Sequence, residues 1–93
     1  QIEFLHDNFF KRKRYKIFQI EIGKFNNLNE NLKFLVIQSF YYKYRNLFKK
    51  QIRDENIWNF IKILKIILQN GKERSVFSGK VSVFNKKICI NLL

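Results

Sequence analysis

The stretch from Asp54 to Gln69 constrains the fold more than any other part of this chain. Ile57, Ile61, Leu64 and Leu68 recur at helical spacing, and Phe60, Ile63 and Ile67 run beside them as a second seam. The polar stripe that remains, Asn59, Lys62, Lys65 and Gln69, is narrow. Such a helix has to be covered on most sides, by another helix of the same chain and by a partner. Asp54 is the expected N-cap and Glu55 adds negative charge to the first turn. Asn70-Gly71 is the stop, with Gly71 free to take the left-handed position after the last turn.

The covering helix is expected over residues 31–50. Phe34, Ile37, Tyr41, Tyr44 and Phe48 step by three and four, and Leu35, Phe40 and Leu47 widen the stripe. Core packing accounts for these aromatics; base stacking by Tyr41, Tyr42 or Tyr44 is the more specific alternative. Lys43, Arg45, Lys49 and Lys50 gather toward the C-terminal end, where they complement the helix dipole and reach phosphates. Upstream, residues 15–22 alternate in part, with Phe18, Ile20 and Ile22 on one face of a strand and a helix as the alternative, and the asparagine-rich segment 23–31 reads as loop. Downstream, residues 75–84 are β-prone on both sides of Ser78-Gly79, and a hairpin or an extended loop turning at Gly79 fits. The expected class is α+β in one small domain spanning residues 1–93. Its parts are a basic extended segment over 1–23, two central amphipathic helices forming a helical hairpin over 31–69, and a C-terminal β-hairpin or extended tail over 72–93.

Charge decides the class of partner. Lys and Arg number 19 against 7 Asp and Glu, a formal charge of +12 spread along the whole length. Self-repulsion of this size destabilises a compact chain, so a polyanion is the expected counterpart. With 46% hydrophobic and 17% aromatic residues, the chain is not a solvated basic tail. At this length the core is marginal, which favours full folding only inside a larger body and aggregation alone. The run Lys11-Arg12-Lys13-Arg14 needs phosphates or remains a solvated arm. Lys72, Arg74, Lys80, Lys86 and Lys87 surround the expected Gly79 turn, where backbone can approach a phosphate closely. With Lys49 and Lys50, these residues form the expected RNA-contacting set.

Several chemistries are disfavoured. Cys89 is the only cysteine and His6 the only histidine, so there is neither a disulfide nor a zinc set of Cys and His. Cys89 lies in an apolar run and is expected as a small buried hydrophobe. Asp54 and Glu55 are explained by capping, and Gly71-Lys72 and Gly79-Lys80 lack the glycine spacing of nucleotide loops. No enzyme activity, cofactor, metal or small-molecule substrate is expected. The most apolar stretch, Ile57 to Leu68, contains Lys62 and Lys65 and is shorter than the roughly 20 residues of a membrane span, so no membrane association is expected. No secretory signal is recognisable, because Phe9-Phe10 is followed at once by the basic run. The chain contains no Ala, Thr, Pro or Met. Abundant Lys, Asn, Ile, Phe and Tyr reflect A/T-rich codons, which points to an organellar genome, and the missing Met points to processing or to a piece of a longer protein.

The segment Arg74-Ser75-Val76-Phe77-Ser78-Gly79-Lys80, continuing through Ser82-Val83-Phe84 to Lys86, resembles a signature of small-subunit ribosomal protein fourteen. There an Arg-Cys pair precedes a Thr-Gly-Arg turn, a Val-aromatic step and a basic run. Arg74 stands for the arginine, Ser75 for the cysteine and Ser78-Gly79-Lys80 for the turn; the family's Leu-Pro-Arg-Asn segment and its Gly-Leu-Lys-Lys-Ala-Ser-Trp ending have no counterpart. Ile63 to Lys72 resembles the first helix and following loop of small-subunit ribosomal protein seven, a longer family.

Both resemblances imply ribosomal RNA in the head of the small subunit. The expectation is a structural constituent of a mitochondrial ribosome in the matrix, contacting rRNA and neighbouring ribosomal proteins. Two other classes fit a basic, Phe-rich chain: an accessory subunit of a respiratory membrane complex, and a free-standing RNA- or DNA-binding module.

Overall fold

The computed structural model describes residues 7–48, 51–76 and 79–92, and its architecture is α+β. In chain order the elements are β1 (Phe10–Arg14), β2 (Ile17–Glu21), α1 (Ile22–Asn26), α2 (Glu30–Lys43), a 3₁₀ turn (Arg45–Leu47), α3 (Asp54–Asn70), β3 (Arg74–Val76), β4 (Gly79–Phe84) and β5 (Lys87–Leu92). The strands form one five-stranded sheet in the order β1-β2-β5-β4-β3. All four pairings are antiparallel. Two ends of the chain meet in its middle, where β2 pairs with β5 from Ile17↔Asn91 to Glu21↔Lys87.

Strand alternation separates the two faces. Phe10, Phe18, Ile20, Val81, Ile88, Ile90 and Leu92 point to the helices and are buried. They meet Val36, Ile37, Phe40 and Tyr41 of α2 and Ile57, Phe60, Ile61, Leu64 and Ile67 of α3 in one core. Phe40 is its centre, stacked on Phe10 at 4.8 Å and edge-on to Phe18 at 5.0 Å. These aromatic contacts join the first strand pair to the helical layer.

The expected helical hairpin is present, with changed details. α3 covers the expected span, but Arg53 rather than Asp54 is its N-cap residue, and Asn56 Oδ1 accepts the Arg53 N–H at 2.9 Å. Asp54 therefore opens the first turn, where its charge still complements the dipole. Gly71 closes the helix at φ 70°, its N–H donating to the Ile67 carbonyl. α2 ends at Lys43, earlier than expected, and passes into the 3₁₀ turn; Lys49 and Lys50 lie outside the described residues. It is also less one-sided than expected: Leu32, Leu35 and Tyr42 are exposed while Lys33 and Ser39 are buried. Lys33 lies 5.7 Å from the Phe25 ring centroid and 3.8 Å from the Glu30 carboxylate.

Three segments differ from the sequence reading. The basic run is not an arm but edge strand β1, in which alternation and a bulge between Arg12 and Arg14 distribute the four cations. The asparagine-rich segment is partly helical: Ile22 opens α1 instead of extending the strand, Phe25 anchors α1 in the core, and Asn29 caps α2 by accepting the Leu32 N–H at 2.9 Å. Asparagines that read as loop act here as helix ends. The C-terminal hairpin exists, and Val76↔Gly79 is its closing pair, but Phe77 and Ser78 lie outside the described residues. Gly79 opens β4 as half of that closing pair and is buried rather than exposed. A further strand, β5, follows through Asn85 and Lys86, whose φ values of 51° and 61° are those of a two-residue type I′ turn.

Candidate nucleic-acid interface

On the second face of the sheet the outward side chains are exposed or half-buried, and the helical residues 7–9 border them beside Lys11, Gln19 and Lys87. Cross-strand pairing arranges its outward side chains in three rungs. The first runs Arg14, Ile17, Asn91, Lys80, Ser75. The second runs Lys11, Gln19, Cys89, Ser82, and the third Glu21, Lys87, Phe84. Lys11, Arg14, Lys80 and Lys87 are all exposed. One open face thus gathers cations from β1, β4 and β5, which the sequence holds far apart.

The cluster is electrostatically unfavourable by itself. The Lys13 ammonium has its pKa held below the usual lysine value, first by the charge of Lys11, then by partial desolvation and by Lys87. Like charges placed this closely favour an anion among them. Among the described residues no carboxylate forms an ion pair with Lys11, Lys13, Arg14 or Lys87, whereas Lys80 has Glu73 at 3.8 Å. Acid is not wholly absent: Glu21 stands in the third rung, and with Asp7, Lys11, Gln19 and Lys87 it helps to bound a small pocket of ≈ 180 Å³ beside β1.

The other expected contact residues divide. Arg12 faces the helices: its guanidinium lies over the rings of Tyr15, Phe18 and Tyr44, and its Nε and Nη2 donate to the Tyr15 carbonyl at 3.2 and 2.7 Å. It is a packing residue, and only the fold reveals this. Arg74 ends an inward rung at the β3 edge, opposite Val81, and is exposed. Lys72 follows the α3 cap, its N–H donating to Asn70 Oδ1 at 2.9 Å. Lys86 projects from the type I′ turn next to Lys87. Lys49 and Lys50 lie outside the described residues.

The sequence reading overlooked the uncharged members of this face. Phe84 is 68% exposed and ends the third rung, whereas Tyr15, 66% exposed at the β1–β2 turn, lies against the inward-facing Arg12. Exposed aromatic rings beside cations are the elements of single-strand binding surfaces, where bases stack and phosphates pair. Gln19 lies at the centre, with Nε2 donating weakly to Cys89 Sγ at 3.9 Å and Oε1 buried without a hydrogen-bond partner among the described residues. Cys89 is half-buried on the open face rather than in the core. Period-two alternation in residues 87–92 carried the signal for this placement.

The helical layer presents another kind of surface. Leu32, Leu35 and Trp58 are exposed there, with the Trp58 ring 4.7 Å from that of Phe34. Among the described residues no group of His, Cys, Asp and Glu could hold a metal ion, and no helix is long and apolar enough to cross a membrane. No protein family, curated protein or solved structure matches this chain.

Proposed function

We propose that this protein is a structural constituent of a ribosome, in the small subunit of a mitochondrial ribosome, where it binds and stabilises rRNA. The observation that carries this reading is the open sheet face, on which Lys11, Lys13, Arg14, Lys80 and Lys87 come together with little opposing charge. RNA phosphates entering there relieve the repulsion among the lysines and release counterions. The rungs fix the spacing of the cations but read no base edges, so binding is electrostatic and shape-dependent. Leu32, Leu35 and Trp58 on the opposite layer suit an apolar surface of a neighbouring ribosomal protein, which leaves the sheet for RNA. The organellar placement rests on codon bias, and the small-subunit placement on the resemblances of residues 63–72 and 74–86.

Gradient sedimentation of a tagged chain, blotted against both rRNAs at moderate and high salt, tests the proposal. Co-migration with the small subunit, lost only at high salt, is the expected result. Migration with a detergent-solubilised membrane complex devoid of rRNA overturns it.

A further inference from the structure

A second surface lies away from the sheet. Where α2 passes through the 3₁₀ turn toward the start of α3, the chain bounds a cavity of ≈ 490 Å³. That is within the range of about 300–1,000 Å³ typical of small-ligand sites. Buried Tyr41 and Ile57 and half-buried Ile52 give it apolar walls. Tyr42 and Arg45 add a preformed stack, with the guanidinium 4.6 Å from the ring centroid and Nη1 donating to the Tyr42 carbonyl at 2.9 Å. Gln38, Asn46 and Gln51 also line the cavity, and the side-chain amide of each is both donor and acceptor.

This combination fits a flat heterocycle with a π-face and a mixed donor–acceptor edge. Asp54 also lines the cavity, and its carboxylate disfavours a phosphate inside it. The ligand is therefore the base of a nucleotide, with its backbone kept outside. Of the three tyrosines that sequence alone marks for stacking, Tyr41 is buried and Tyr44 lies half-buried beneath Arg12, whereas Tyr42 is 54% exposed. We infer that this cavity receives a nucleobase unstacked from single-stranded RNA, with Tyr42 and Arg45 stacking on it and the Gln38, Asn46 and Gln51 amides meeting its edge. The inference rests on the RNA-binding reading above and adds a site on the helical layer.

The test is a titration of the full ¹⁵N-labelled chain with adenosine 5′-monophosphate, followed on the side-chain amide resonances of Gln38, Asn46 and Gln51. Saturable shifts are expected, weakened at least about fivefold in Tyr42→Ala, as loss of one base stack predicts. Tyr42→Phe keeps the ring and should bind as the parent does, which separates stacking from misfolding. A short oligoadenylate should move the same resonances. If the amides ignore both probes while RNA is still retained in a salt-dependent way, the base pocket is overturned and the RNA reading stands. Equal shifts in Tyr42→Ala and the parent also overturn it. If adenosine 5′-monophosphate moves the amides but no RNA is retained at any salt, the cavity takes a free nucleotide base, and the RNA reading falls together with the inferred RNA occupant.

Discussion

The Arg12 guanidinium lies 5.2 Å from the centroid of the Tyr44 ring, so a cation within a basic run is directed into the junction between β1 and α2. Tyr44 itself packs 4.4 Å from Phe18. Arg12→Ala is expected to destabilise the fold by about 1 kcal/mol, through removal of an exposed cation–π contact and a charge-assisted hydrogen bond. Arg12→Lys should recover little of this, because an ammonium cannot stack as a guanidinium does. Urea unfolding measures both; a neutral Arg12→Ala would return Arg12 to the phosphate-binding set.

Lys11, Lys13 and Lys87 should behave in the opposite way. Their joint replacement by Gln is expected to leave thermal stability equal or higher, since the repulsion that lowers the Lys13 pKa is removed. For a single-stranded RNA, the slope of log K against log salt should become shallower by about 2, at roughly 0.7 for each phosphate no longer neutralised. An unchanged slope would rule out phosphate binding at this face.

Tyr41 makes stability sensitive to alkali. Burial raises its pKa above the ordinary value of 10.0. The folded state therefore holds this proton at pH values where the unfolded chain has released it. The stabilisation is complete below about pH 10 and declines as pH rises above it. In Tyr41→Phe the alkaline decline should be shallower by up to about 1.4 kcal/mol per pH unit. Identical alkaline profiles would show that Tyr41 ionises freely in the folded protein.

Two glycines should respond to alanine with opposite signs. A Cβ on Gly79 would collide with the Asn91 carbonyl oxygen and lie 2.9 Å from Leu92 Cα, both backbone atoms of the adjacent strand. Gly79→Ala is expected to cost about 1–3 kcal/mol. A Cβ on Gly23, within α1, meets nothing within 4 Å, and Gly23→Ala should stabilise by up to about 1 kcal/mol. Equal effects in chemical denaturation would refute the close approach at Gly79.

Central Gln19 offers a further check. Its Oε1 is buried without a hydrogen-bond partner among the described residues, while Ile17 two residues earlier is an apolar neighbour on the same face. Gln19→Leu should stabilise by about 1 kcal/mol, because a desolvated acceptor is removed. Destabilisation of that size would mean that this carbonyl is satisfied in solution.

What the sequence made legible follows from how local the cause is. α3 was readable because its seams, first-turn acids and Gly71 stop all lie within residues 54–71. Strand β2 and the β3–β4 hairpin were visible through alternation. The position of Arg12 was not, because Tyr44 and Phe18 reach it only once sheet and helices have packed. Nor was α1, whose position depends on Phe25 finding the core rather than on propensity. The cation set was partly legible at the level of residue type. Which cations share a face was not, since that depends on β2 pairing with β5.

That pairing also governs when the protein is finished. Gln19 and Cys89, adjacent on the open face, are 70 residues apart in the chain. Closing so long a loop delays their meeting, so the central ladder forms late and the N-terminal hairpin waits with an unpaired edge. The three rungs have no middle until β5 arrives. An RNA that requires them all would engage only a chain that has completed its sheet, so binding and quality control would become the same event.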